Sequence, residues 1–165
     1  MILLSILFIP LIAIVLTNIV DKKSFYVKIF PLLGSLACLL LIFYYSSHNN
    51  LLELVTFVEY IHLYDIFPKL GISMSFSISK ISIILLILAN ITISTALFST
   101  FNINKRLNEI NTLILVISIG IYGLIIADDL FVFFLFYEIA VVPMFLMITN
   151  WGYDLKREIS GPFKK

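Results

Sequence analysis

Five apolar runs separated by short polar segments set the pattern of the chain, and they predict helices at about 2–20, 26–45, 82–101, 112–127 and 130–149. A run of nineteen residues, such as Leu130 to Ile148, rises roughly 28 Å as a helix, close to the hydrocarbon thickness of a bilayer. Pro10 falls near the middle of the first run, where it predicts a kink, whereas Pro31 sits early in the second, where a proline is tolerated. The third run carries Asn90, Thr92, Ser94 and Thr95, more polar groups than lipid contact favours, so one of its faces is expected against protein. On the fourth, Gly120, Gly123 and Ala127 share a face and predict close approach of another helix.

The fifth run is apolar except for Tyr137, Glu138 and Pro143, and Asp128 and Asp129 precede it, where negative charge suits the helix dipole. The long connection is 46–81. Within it, Phe57, Tyr60, Tyr64 and Phe67 recur at spacings of three, four and three, which predicts an interfacial helix. Met74 to Ser79 alternates strictly and predicts a short strand. The segment as a whole reads as an ordered loop capping the helices.

Composition makes these runs membrane spans rather than buried core. The chain is 61% hydrophobic and 13% charged, with a mean hydropathy of +1.11, far from the half-apolar, quarter-charged balance of soluble domains. The expected class is therefore all-α, a polytopic membrane protein with five transmembrane helices in a single membrane domain, 1–165. The first run lacks a basic leader and a small-residue cleavage site, so it reads as a retained span. No Arg-rich presequence precedes it. Together with abundant Ile, Phe, Leu, Lys and Asn, this suggests a product of an AT-rich organellar genome.

A net charge of +1 with no basic patch argues against nucleic acid. Cys38 is the single cysteine, and His48 and His62 fall in the loop, so no disulfide framework, thiol metal site or intramembrane haem pair is expected. Neither a Gly-rich phosphate loop nor a nucleophile elbow is present. Five spans place the turns alternately on two sides. Lys22, Lys23, Lys28, Lys105, Arg106, Lys156, Arg157, Lys164 and Lys165 share one side, and Lys69 and Lys80 the other. By the positive-inside rule the richer side faces the matrix or cytoplasm, which puts the N-terminus and the 46–81 loop outside and the C-terminus inside.

Glu138 lies nine residues into its run, roughly 12 Å from the end marked by the aspartates. A carboxylate at that depth costs a few kcal/mol unless it is protonated, hydrated or paired, so its default reading is functional. Its helical neighbours Phe134, Leu135, Val141 and Val142 are apolar, and no Lys, Arg or His stands at comparable depth in the other runs. Asn90, nine residues into the third run from the same side, is the best internal candidate for a hydrogen bond. Either Glu138 is protonated or its cationic partner belongs to another chain. Pro143 cannot donate to the carbonyl of Ile139, beside the acid, which leaves a loose carbonyl suited to water. It is equally a proline that serves packing.

The stretch Leu130-Phe-Val-Phe-Phe-Leu-Phe-Tyr-Glu138-Ile-Ala-Val-Val-Pro143-Met144, closed by Asn150-Trp151-Gly152, resembles subunit 4 of respiratory NADH:ubiquinone oxidoreductase, complex I. Upstream, Leu70-Gly71-Ile72-Ser73 and Ile78 to Ser82 are similar to the family's connection into its third helix, with Ser79 and Lys80 where the family usually has Asp and Gly. Related subunits and cation/proton antiporters share the fold, but the wording from Glu138 to Met144 favours subunit 4. The resemblance implies an antiporter-like fold of about fourteen helices, of which this chain supplies the N-terminal five. It also implies that Glu138 contributes to proton translocation by modulating the proton affinity of a lysine on later helices, coupled to NADH:ubiquinone electron transfer.

The same resemblance implies membership of a proton-translocating enzyme without redox chemistry in this chain, which would bind no flavin, iron–sulfur cluster or quinone. Its expected partners are other membrane-arm subunits, the lipid bilayer and a separate chain carrying the remaining helices. The expected location is the mitochondrial inner membrane, with the N-terminus in the intermembrane space and the C-terminus in the matrix. Two alternatives stay open: a fragment of a cation/proton antiporter, and a small structural membrane subunit in which Glu138 only docks a partner.

Overall fold

A computed structural model describes residues 2–20, 26–48, 59–67, 72–102 and 106–151. Five helices appear, α1 (Ile2–Ile19), α2 (Tyr26–His48), α3 (Lys80–Ser99), α4 (Leu107–Ile126) and α5 (Leu130–Trp151). Strands β1 (Glu59–Phe67) and β2 (Ile72–Ile78) stand between α2 and α3. The helices from α2 to α5 are long and apolar enough to cross a membrane; α1 is apolar over Ser5–Ile19 and shorter. The turns bearing Lys22, Lys23 and Lys105, residues 49–58 and 68–71, and the tail from Gly152 lie outside the described residues. With them fall Phe57 and most of the charges on which sidedness rests.

α4 is the centre of the bundle. Half of its span is buried, against 28%, 28% and 22% for α2, α3 and α5, and it packs against each of the other four helices. It begins at Leu107, five residues before the expected position 112. The reason is that Asn108 and Asn111 in its polar first turns are buried and their amide groups donate to neighbouring helices, with Asn108 Oδ1 left without a partner among the described residues. Asn111 donates to the Val27 carbonyl at 3.0 Å and accepts from Thr100 Oγ1 at 2.9 Å, and Asn108 donates to Asn18 at 3.2 Å. A polar stretch that hydropathy assigns to a turn is thus helix, because neighbouring helices supply its partners.

α3 starts at Lys80 rather than 82 because Ser79 caps it, its hydroxyl accepting the Ser82 N–H at 3.2 Å. Of the polar residues on α3, Asn90 and Ser94 turn toward protein. Thr92 and Thr95 are exposed and satisfy themselves on their own helix, at the carbonyls of Leu88 and Thr92.

The aromatic spacing in the loop does not make an interfacial helix. Residues 59–67 form β1, antiparallel to β2. The register shifts between His62 and Tyr64 and again between Asp65 and Phe67, and such irregularities break the strict alternation by which a strand is recognised in sequence. The strand expected around Met74 is present as β2.

Candidate functional site

α5 carries the candidate acid, and its start is set by Asp129. One carboxylate oxygen of Asp129 accepts the Phe131 N–H at 2.7 Å, and its backbone carbonyl accepts the Phe133 N–H at 2.9 Å. This is an N-cap, satisfying a donor that the first helical turn leaves orphaned. Ala127 ends α4 in an extended conformation and forms an antiparallel bridge to Phe76 of β2. Ala127 therefore leaves the small-residue face on which its spacing from Gly123 places it.

Gly120 and Gly123 keep that face. A β-carbon on Gly120 would lie 2.7 Å from the Ala140 β-carbon, and one on Gly123 would lie 2.1 Å from the Phe136 ring. Glycine alone permits α4 and α5 to approach this closely. The buried residues of α5 are Val132, Phe136, Ala140 and Pro143, a single stripe against α4.

Glu138 is about 200° around the helix from both Phe136 and Ala140, so it points away from α4. It is exposed, as are Phe134, Leu135 and Val142 around it. Among the described residues it has no hydrogen-bond or ion-pair partner. The basic side chains among those residues sit at helix ends. Lys28, in the first turn of α2, donates to the Phe101 carbonyl at 2.7 Å. Lys80 opens α3, and Arg106 precedes α4, pairs with Glu109 and lies over the Trp151 ring. Glu138 thus lies in mid-span on an exposed face, while the basic side chains of the described residues are held at the ends of the helices.

Of the two expected supporters of Glu138, Asn90 makes its hydrogen bonds elsewhere. Asn90 is fully buried and donates to the Tyr122 hydroxyl of α4 at 2.9 Å, while its own oxygen lies 3.3 Å from Ser94 Oγ. Ser94 Oγ in turn meets Ser35 Oγ of α2 at 3.2 Å. Asn90 therefore belongs to a network joining α2, α3 and α4, with α4 between it and α5. Pro143 is buried in the α4 contact, which accounts for its side chain by packing; the carbonyl it leaves free, that of Ile139, is adjacent to Glu138 in sequence.

Sequence reasoning missed Tyr122, whose hydroxyl is the acceptor that makes an asparagine tolerable in mid-span. The only signal was a tyrosine within an apolar helix facing the same way as Ser118, one turn earlier. A cleft of about 300 Å³ lies between Ala89, Thr92, Ile93 and Ala96 of α3, Ile114, Ile117 and Ile121 of α4, and Met147 of α5; Glu138 does not line it.

No protein-family model matches the chain. Chain 4 of NAD(P)H-quinone oxidoreductase from Microcystis aeruginosa is 28% identical over 165 residues, covering 96% of this chain and 29% of that protein. A chain 4 from a Picosynechococcus species is 34% identical over 96 residues, 58% of this chain and 18% of that protein. The chloroplastic chain 4 of Chara vulgaris is 28% identical over 110 residues, 67% of this chain and 21% of that protein. The likeness to subunit 4 carried by the Glu138 stretch thus extends over nearly the whole chain, and the chain spans less than a third of the length of these relatives. Among solved structures, a chain of the membrane-bound sulfane sulfur reductase, an archaeal respiratory membrane complex, matches 93% of this chain and 23% of its own length. Its TM-score is 0.65 at 23% identity, which establishes a shared fold.

Proposed function

We propose that this chain supplies five membrane helices of a proton-translocating, subunit-4-like component of an NAD(P)H-quinone oxidoreductase, with Glu138 as its working carboxylate. The observation that carries the proposal is the direction of Glu138. It sits in mid-span on a face of α5 that the described residues leave uncovered, ringed by apolar side chains. A carboxylate so placed needs a cation or a proton, and the cation comes from helices other than these five. Once paired, it stabilises the protonated form of a facing lysine, and withdrawing or protonating the carboxylate releases that proton. The chain itself contributes the electrostatic switch, while electron transfer belongs to the rest of the assembly.

The named relatives support an energy-transducing membrane as the location. They are cyanobacterial and chloroplastic, so the mitochondrial inner membrane, and with it the N-terminus-out orientation, rests on the residue bias and the basic asymmetry of the sequence. The remaining helices, on a separate chain as the sequence leads one to expect, are to be sought among the co-migrating proteins.

The first test is a native gel of mildly solubilised membranes stained for NADH and NADPH oxidation, with mass spectrometry of the active band. Finding this chain there supports the proposal; migration only in small, inactive assemblies overturns it in favour of the antiporter or structural alternative. The site is tested by Glu138→Gln, which should leave assembly intact and lower proton translocation. Full translocation at normal assembly would remove Glu138 from the mechanism, and loss of assembly would make it a docking residue.

A further inference from the structure

The outer hairpin reaches deeper into α5 than a capping loop needs to. Three links join β2 to the helix that carries Glu138. The second carboxylate oxygen of Asp129 accepts the Ser73 N–H at 3.4 Å, while the first caps α5 through Phe131. The Asp128 N–H donates to the Ser75 carbonyl at 3.2 Å. Phe76, buried to 1% and bridged by its backbone to Ala127, sets its ring edge-on to Phe136 at 6.0 Å. Phe136 is the seventh residue of α5, so the hairpin grips the helix in its second turn.

Phe136 is also the residue whose ring fills the space over Gly123. It is wedged between β2 on one side and α4 on the other. Glu138 comes two residues later and projects from the opposite face, so the seat of Phe136 fixes the direction of the carboxylate. Asp128 has an exposed side chain and contributes only its backbone. Asp129 is different, because one carboxylate serves both the helix and the hairpin.

We infer that Asp129 is a positioning residue for Glu138: it joins β2 to the start of α5, so that the outer hairpin holds the carboxylate toward its partner face. The inference deepens the role proposed for Glu138 and rests on it for its consequence. Its readout, the reactivity of one carboxyl group, does not depend on transport.

Asp129→Asn separates the two duties. Asparagine caps helices as well as aspartate does, and its oxygen can stay on the Phe131 N–H. Its amide then faces the Ser73 N–H, donor against donor, and the latch is lost. Ser73→Pro removes the same bond from the other side by deleting the donor. In intact membranes, modification of Glu138 by a lipid-soluble carbodiimide is monitored by peptide mass spectrometry across a pH series.

The expected result is a rate about five-fold higher at every pH in Asp129→Asn, the weight of one ordinary hydrogen bond, at unchanged chain abundance. Ser73→Pro should match it, and the double variant should add nothing further. Phe76→Leu, which keeps an apolar side chain but loses the ring contact, should raise the rate too and serves where the proline disturbs the hairpin. Asp129→Ala, which loses the cap as well, should lower chain abundance. A wild-type or slower rate in Asp129→Asn, or additive effects of the two latch variants, overturns the inference; neither outcome bears on whether Glu138 takes part in translocation.

Discussion

Gly120→Ala tests the close approach of the α4 and α5 backbones. In the middle of an ordinary helix this change is favourable by up to about 1 kcal/mol, since glycine has the greater backbone freedom to lose. Here the added methyl group would lie 2.7 Å from the β-carbon and the backbone nitrogen of Ala140 and 2.8 Å from its α-carbon, where ordinary contacts begin at 3.4 Å. Two of these three atoms are backbone and cannot turn aside. α4 and α5 must therefore part by somewhat under about 1 Å, a gap that forfeits a quarter or more of each dispersion contact along it. Overpacking of this kind costs about 1–3 kcal/mol, so the propensity gain is outweighed and a net loss of about 1–2 kcal/mol is expected.

The assay is the midpoint of heat inactivation of the solubilised assembly, monitored by the loss of the intact species on gel filtration. Adding Ala140→Gly should restore only part of the loss, because the backbone atoms of residue 140 remain in place. Gly34 supplies the contrast. Among the described residues its β-carbon would meet only that of Ala13, at 2.8 Å, so Ala13→Gly should restore Gly34→Ala almost completely. A stable Gly120→Ala, or full rescue by Ala140→Gly, would refute the backbone clash.

Three further outcomes are expected. Tyr122→Phe strands the buried Asn90 amide and should lower the inactivation midpoint by the equivalent of about 1 kcal/mol, with Asn90→Val in the same chain costing less than the two changes summed. Ser79→Ala removes the cap of α3 and should cost about 1 kcal/mol in the same assay, whereas Ser79→Asp, also a capping residue, should match the parent. Glu138→Gln should leave the inactivation midpoint within error of the parent, because its face is uncovered by these five helices, while translocation falls; a large stability loss would place Glu138 in a structural contact.

Hydropathy made the spans legible because burial against lipid and burial against protein demand the same apolar residues. It failed where polar groups are buried in pairs. Asn108 and Asn111 begin α4, yet read as a turn, since their partners Asn18, Thr100 and the Val27 carbonyl are distant in sequence. Alternation found β2 in Met74 to Ser79 but missed β1, where two register shifts disrupt the period and leave a spacing that suits a helix. Small-residue spacing marked Gly120 and Gly123 correctly as a contact face. It could not show that Ala127 leaves the helix to pair with Phe76, because that depends on a hairpin some fifty residues earlier. Glu138 was legible from cost alone, and its direction was not: direction depends on which residues of α5 meet glycine on α4.

That direction separates two kinds of polar group within one bundle. Buried polar side chains here are largely answered inside it: Thr17 by the Ala13 carbonyl, Ser118 by that of Leu115, Asn90 by Tyr122 and Asn111 by Val27 and Thr100. These bonds fix which helix faces meet, because an unpaired amide in the same place costs about 1–3 kcal/mol. Glu138 differs in chemistry and in place, an ionisable carboxyl group set on the exposed side of α5. Had the carboxylate served to hold these five helices together, it would lie on the α4 side, where Phe136 and Ala140 lie. Its place on the opposite face leaves it out of the contacts by which the described helices are joined.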